Sequence, residues 1–198
     1  MDSKKEQIIQ AALKRFAHYG FHKTTMSEVA GDLSITKANL YYYYPDKDAL
    51  IRDVLVHLLD EISGKEMAVI AQYDNDLLTT IFQLLELRAE YMRTYYVLHI
   101  SENLEWIKGK GIGTVLEGIH QKDIQIINEL FSKAVDSGEI VLDDKDIAVV
   151  CFTQIIKGIG LSCSVADVIS GIPTPSRVDE ILENQKQAVR FIFANKIR

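Results

Sequence analysis

One stretch, Thr25 to Lys47 (TMSEVAGDLSITKANLYYYYPDK), constrains this 198-residue chain more than any other. It reads as two short helices joined by a tight turn, with a third helix starting at its end. The middle helix, Thr36 to Tyr44, is too polar on one side to be buried and too apolar on the other to be a loop. Lys37, Asn39 and the run Tyr41–Tyr44 offer an ammonium, a carboxamide and hydroxyls within about two and a half turns. Those groups suit phosphates and base edges. The pattern predicts a DNA-binding helix-turn-helix.

The flanking signals agree. Ser3 with Glu6 is a capping box for a first helix, whose apolar face is Ile9, Ala12, Leu13, Phe16 and Ala17. Gly20 ends it. Thr25 with Glu28 is a second capping box, and Val29, Ala30 and Leu33 form the apolar side of the helix that follows. Ser34–Ile35 is the turn, and Thr36 caps the next helix. Leu40, Tyr43 and Tyr44 fall towards the core, while Ala38, Tyr41 and Tyr42 point away. Pro45 stops the helix. Asp46 caps a fourth, which runs through Leu50, Val54 and Leu58 to Gly64.

Residues 8–50 resemble the N-terminal domain of the TetR/AcrR family of transcriptional regulators. The resemblance is carried by the Ile-x-x-Ala-Ala-x-x-x-Phe pattern from Ile8 to Phe16, by Gly20, and by the run Thr24–Ala30. Ile35 to Lys47 (ITKANLYYYYPDK) completes it. It covers about a quarter of the chain. The family usually has glycine in the turn where this chain has Ser34. A left-handed Ser34 would cost roughly 1 kcal/mol.

The resemblance implies roles for individual residues. Thr25 and Ser27 would meet phosphates at the start of the second helix. Thr36, Lys37, Ala38 and Asn39 would enter the major groove, with Lys37 donating to guanine and Asn39 pairing with adenine. Tyr41 and Tyr42 would reach phosphates or a thymine methyl. Tyr43 is shared between DNA and packing, and Tyr44 is structural. Lys47 would meet a phosphate. The competing reading is a solvated helix face with tyrosines in the core.

Charge is distributed to match. The net charge is −6, yet residues 1–50 carry seven Lys and Arg against six Asp and Glu. The remainder holds 15 against 22, so the acidic part lies C-terminal and DNA binding belongs to the N-terminal end.

The rest of the chain reads as helix throughout. Asp76 to about Tyr96 is apolar nearly all round. Val97–Lys108 is shorter, the GKGIG run at 109–113 is a break, and Thr114–Ser137 is amphipathic. Ile140–Leu142 is a connector. Asp143 or Asp144 caps a long helix through Cys151 and Ala166, Gly171–Pro175 is a turn, and Arg177–Ile197 is the last helix. The expected architecture is all-α. It has an N-terminal three-helix helix-turn-helix domain over 3–63, with the motif at about 26–45. A helical-bundle domain over 64–198 would bind an effector and dimerise.

Two surfaces follow from this. A single short reading helix makes too few contacts for specific affinity, so two copies on a palindromic operator are expected. The homodimer surface is expected on Asp144–Val168 and Arg177–Ile197, with Gly158, Ile159, Ser162, Ala166, Val189 and Phe193 as contacts. A small hydrophobic or aromatic effector is expected against Phe82, Tyr91, Met92, Tyr95, His99, Trp106, Phe152 and Gln154. Plain core packing is the competing reading for both sets.

Cys151 and Cys163 fall on one helix about 18 Å apart, too far for a bridge. No metal-ligand spacing, cofactor fingerprint or catalytic motif is present, so neither a cofactor nor an enzyme is expected. No apolar run approaches the ~18 residues of a membrane span, and the N-terminus lacks a signal-peptide h-region. The expected location is cytoplasmic. The expected function is that of a ligand-responsive repressor. A DNA-binding regulator without an effector is the nearer alternative. A small-molecule carrier or enzyme whose N-terminal helices only pack is the more distant one.

Overall fold

The computed structural model describes residues 3–95, 113–170, 176–194 and 196–197. Eight helices are present among them. They are α1 Ser3–Lys23, α2 Met26–Asp32, α3 Lys37–Tyr43, α4 Lys47–Ala71, α5 Leu77–Thr94, α6 Gly113–Asp136, α7 Lys145–Ser170 and α8 Ser176–Phe193. The stretch expected as a helix at 97–108, most of the GKGIG break and the turn at 171–175 lie outside the described residues. So do His99 and Trp106.

The described residues form two compact units. The first is drawn from Met1–Glu61 and Thr94–Leu116, the second from Ile62–Arg93 and Glu117–Arg198. In the first, α1 buries Ile8, Ile9, Ala12, Leu13 and Phe16 on one stripe. Gly20 interrupts α1 at φ 78, ψ 168, a conformation a Cβ disfavours. The chain then turns so that Phe21 packs edge-on against Phe16, with ring centroids 5.2 Å apart. Val29, Ala30, Leu40, Tyr44, Leu50, Ile51 and Val54 complete this core.

The fourth helix corrects the expected stop at Gly64, since α4 continues to Ala71. An interior glycine costs only about 1 kcal/mol, and burial of Glu66 and Ile70 on the following turns outweighs it. Asp46 caps α4 as expected, accepting from the Ala49 amide at 2.7 Å.

In the second unit, α5 buries Leu77, Ile81, Leu84, Leu85 and Ala89. Leu78, Phe82, Leu87 and Met92 remain half-exposed, so α5 is amphipathic rather than buried all round. An aromatic cluster joins α6, α7 and α8. Phe131 lies 5.3 Å from Phe152 and 5.9 Å from Phe193, and Phe152 lies 6.0 Å from Phe193. Gly138, at φ 77, follows α6. Ile140, in the expected connector, makes an isolated antiparallel bridge to Ile197. The adjacent Glu139 is buried and accepts from the Leu77 amide at 2.8 Å and from the Tyr73 hydroxyl, closing the start of α5.

Charged side chains also converge in this unit. Arg88 of α5 donates from Nε to the buried Glu66 of α4, and its Nη2 lies 3.1 Å from Asp123 of α6. Lys157 of α7 reaches the other oxygen of Asp123 at 2.7 Å. Burial raises the Glu66 carboxyl above its ordinary range, against the opposing pull of Arg88.

Helix α7 corrects the expectation that no apolar run is long enough to span a membrane. Lys145–Cys163 reaches a mean hydropathy of 1.5 over 18 residues. Its apolar turns begin well before Ile155, at Ile147, Ala148, Val149 and Val150. Such a helix can equally be a soluble core helix with a second apolar face, and α7 carries both faces. Val149, Phe152 and Ile156 are buried, whereas Ile147, Val150, Ile155 and Leu161 are exposed.

Candidate nucleic-acid interface

The turn between α2 and α3 is built by local hydrogen bonds. The Thr25 hydroxyl accepts from the Glu28 amide at 3.3 Å, and Glu28 Oε2 accepts from the Thr25 amide at 2.7 Å, a complete capping box. These bonds hold the Glu28 carboxyl below its ordinary range. At the other end the amides of Leu33 and Ile35 both reach Ala30 O, and the Ser34 amide reaches Gly31 O. Closing the chain so tightly puts Ser34 in the left-handed region, at φ 52. The Thr36 hydroxyl then accepts from the Asn39 amide at 3.1 Å and starts α3.

α3 has two faces. Leu40 is fully buried, and Tyr44 just after the helix is 2% exposed. Tyr44 donates to Asp53 of α4 at 3.1 Å, and Lys5 reaches the same carboxylate at 2.8 Å. Burial first, and Asp53 second, push the Tyr44 phenol far above its ordinary value. Tyr44 is therefore structural. On the opposite face Thr36, Lys37, Ala38, Asn39, Tyr41 and Tyr42 are exposed, Tyr42 by 83%. Lys37 Nζ sits 5.6 Å from the Tyr41 ring centroid. Tyr43 is half-buried and meets Tyr42 edge-on at 5.3 Å. Thr25 and Ser27 are exposed at the start of α2.

Lys47 is placed differently. Its ammonium turns inward, donating to Phe21 O at 2.9 Å and Thr24 O at 3.1 Å. Sequence reasoning also missed Arg15, which forks Asp32 with two bonds of 2.7 Å and ties α1 to α2. Nothing in the local sequence signals this pair, because its residues stand seventeen apart.

The first relatives matched are regulators. Residues 8–54 match the model of bacterial regulatory proteins of the tetR family. The HTH-type transcriptional regulator RutR of Escherichia coli (strain K12) is 42% identical over 60 residues, which is 30% of this chain and 28% of RutR. The chain thus spans just over a quarter of the length of that relative. The uncharacterized HTH-type regulator YhgD of Bacillus subtilis (strain 168) is 24% identical over 147 residues, 73% of this chain and 75% of YhgD. The crystal structure of a transcriptional regulator from Cytophaga hutchinsonii ATCC 33406 superimposes with a TM-score of 0.85 at 26% identity, covering 99% of both chains. The likeness to the tetR family is thus carried by residues 8–54, and along most of the chain the likeness is to transcriptional regulators. The matched segment is the one that carries α2 and α3.

The other candidate residues of the chain are dispersed. Phe152 is core, packed between Phe131 and Phe193, whereas Gln154 two residues on is exposed. Two residues turn a helix by about 200°, so the two side chains do not share a cavity, and Phe152 is reassigned to packing. Phe82 is half-buried, with Arg190 stacked 5.0 Å from its ring centroid. Tyr91 is buried, with Lys65 at 4.8 Å, and Met92 is half-buried. Tyr95, in the first unit, lines a cavity of about 440 Å³ with Gln10, Leu13, Lys14, Ala17 and His18.

Of the expected dimer contacts, Val189 is fully buried and Phe193 is 5% exposed, both inside the chain. They are corrected from interface to core, because their side of α8 packs on α7 and α6. Gly158 and Ser162 are exposed and Ile159 is half-buried. The side chain of Ala166 lies outside the described residues. Phe191, 84% exposed on the opposite side of α8, is the apolar residue the sequence reading overlooked.

Proposed function

We propose that the chain is a homodimeric transcriptional regulator that reads a palindromic operator with α3 and represses until a small effector binds the second unit. The observation that carries DNA reading is the two-faced α3. Leu40 and Tyr44 root it, so Lys37, Ala38, Asn39, Tyr41 and Tyr42 stand out together on a fixed scaffold. Thr25, Ser27, Thr36 and Tyr43 border that face. Lys37 and Asn39 supply base-edge contacts, and the hydroxyls supply phosphate contacts. Regulators, not enzymes, are what the chain matches along most of its length.

Dimerisation is supported by the outer face of α7. Ile147, Val150, Cys151, Ile155 and Leu161 form an exposed stripe at helical spacing, and Phe191 adds to the apolar surface. Isolated apolar residues are ordinary, but a stripe this regular calls for a cover. A second copy supplies it and presents a second α3 for the other half-site. Effector control would act through α4, which holds residues of both units.

Selection of duplexes from a random pool by the full chain, followed by footprinting, tests the reading. Inverted repeats bound with a steep salt dependence are expected. Absence of salt-dependent DNA binding would leave the carrier or enzyme alternative. A thermal-shift screen of hydrophobic and aromatic compounds separates effector control from its absence. The separation of Phe152 from Gln154 favours the effector-independent reading if no compound stabilises the protein.

A further inference from the structure

One side of α1 lines, with Tyr95, the cavity of about 440 Å³ in the first unit. Gln10, Leu13, Lys14, Ala17 and His18 stand at i, i+3, i+4, i+7 and i+8, so helix geometry puts all five on that side. Their exposure is graded. Leu13 is buried and Ala17 half-buried, whereas Gln10, Lys14 and His18 are exposed. The cavity therefore has an apolar floor and a polar rim. Its volume falls within the ~300–1,000 Å³ of small-molecule sites.

The rim is basic at one end. Lys14 and His18 lie one turn apart, and no carboxylate lines the cavity among the described residues. His18 is seated edge-on against Tyr19, with ring centroids 4.4 Å apart. At the other end the Gln10 carboxamide is held by His57 of α4 at 2.8 Å and by Glu6 at 3.3 Å. Neighbouring carboxylates are engaged elsewhere. Glu6 serves Gln10 and lies 3.7 Å from His57 Nδ1. Asp32 feels the charge of Lys14, but both its oxygens are taken by the Arg15 fork.

We propose that this cavity binds an amphiphilic monocarboxylate. Its apolar body lies on Leu13, Ala17 and Tyr95, and its carboxylate accepts from Lys14 Nζ and an imidazole N–H of His18. A purely apolar molecule would leave the two basic groups unmatched, and an inorganic anion would leave the floor uncovered. A carboxylate on a lysine makes a charge-assisted bond, the stronger kind. The site belongs to the first unit and to the helix whose Arg15 braces α2, so it is additional to the effector control proposed for the second unit.

Decanoate is the probe. Decanol, which keeps the chain and lacks the charge, and inorganic phosphate, which keeps a charge and lacks the chain, are the controls. Calorimetry on the full chain is expected to show saturable decanoate binding at millimolar concentration or below, about tenfold tighter than either control, the scale of a hydrogen bond to a charged group. The largest amide shifts in nitrogen-15 spectra are expected at Gln10–His18. Lys14→Met, which keeps the aliphatic stem, is expected to weaken decanoate about tenfold and to leave decanol unchanged. Ala17→Trp fills the cavity and is expected to abolish binding.

Decanol or phosphate binding as tightly as decanoate would overturn the proposal, since either chain or charge alone would then suffice. So would decanoate binding that Lys14→Met leaves intact. If the amide shifts fall in the second unit instead, the carboxylate belongs to the effector control proposed there and this site is lost. If Ala17→Trp does not fold, Lys14→Met, at an exposed position, still decides the matter.

Discussion

Ser34 shows what a single residue costs and why it is tolerated. Its φ of 52 is imposed by the turn bonds to Ala30 and Gly31, which bring α3 across α2. A side chain there costs roughly 1 kcal/mol. Ser34→Gly relieves that strain, partly offset by the freer unfolded chain. A small rise in the urea midpoint with an unchanged slope is expected. A fall in the midpoint would show that the serine side chain contributes more than its backbone strain costs. Asp32 is a second residue-scale case. The Arg15 guanidinium holds its carboxyl below the ordinary 3.8. A depressed carboxylate contributes stability that is present above its unfolded pKa and lost as pH falls through the folded one. Asp32→Asn is therefore expected to flatten the loss of helical circular dichroism below about pH 4. An acid limb identical to the wild type's would contradict it. The caps Thr25, Thr36 and Asp46 were legible in the sequence because their partners lie three residues on. The Arg15–Asp32 fork and the bonds from Lys47 to Phe21 O and Thr24 O were not, because their partners lie 17, 26 and 23 residues apart.

At the scale of elements, α7 carries two apolar faces on one helix. The inner face places Phe152 between Phe131 and Phe193, and Val149 and Ile156 lie on the same side. Phe152→Ala removes a ring from a three-way contact and is expected to cost about 3–5 kcal/mol. Urea unfolding measures it, and a loss under about 1 kcal/mol would mean that the site collapses around the vacancy. Hydrophobic periodicity located α7 but assigned its faces poorly, since a helix apolar on two sides has no single stripe. α5 failed in the reverse direction: its leucines suggested burial all round, yet Leu78 and Leu87 stay half-exposed. α4 outran its glycine because burial of later residues outweighs a local propensity.

At the scale of the molecule, the outer face of α7 is where a second copy is proposed. Ile155→Glu with Leu161→Glu places charges on that face without touching the core, since both residues are exposed. Light scattering at micromolar concentration is expected to show the variant as monomer and the wild type as dimer, with the helical signal unchanged in both. A dimeric variant would move the interface elsewhere. A stable interface buries about 1,200–2,000 Å², more than one stripe supplies, so Phe191 of α8 is expected to contribute. Operator affinity should fall when dimerisation is lost, because each half-site alone offers few contacts.

The sequence by itself determined the helical class, the cap positions, the turn at Ser34 and the outward set Lys37, Ala38, Asn39, Tyr41 and Tyr42. All of these follow from neighbours within about four residues, the range over which helix geometry acts. Only the tertiary structure decided that Lys47 faces inward, that Val189 and Phe193 are core, that Phe191 is exposed, and that Glu66, Arg88, Asp123 and Lys157 meet. Those outcomes depend on which side of one helix another helix covers, and periodicity names a helix's faces without saying what lies against them.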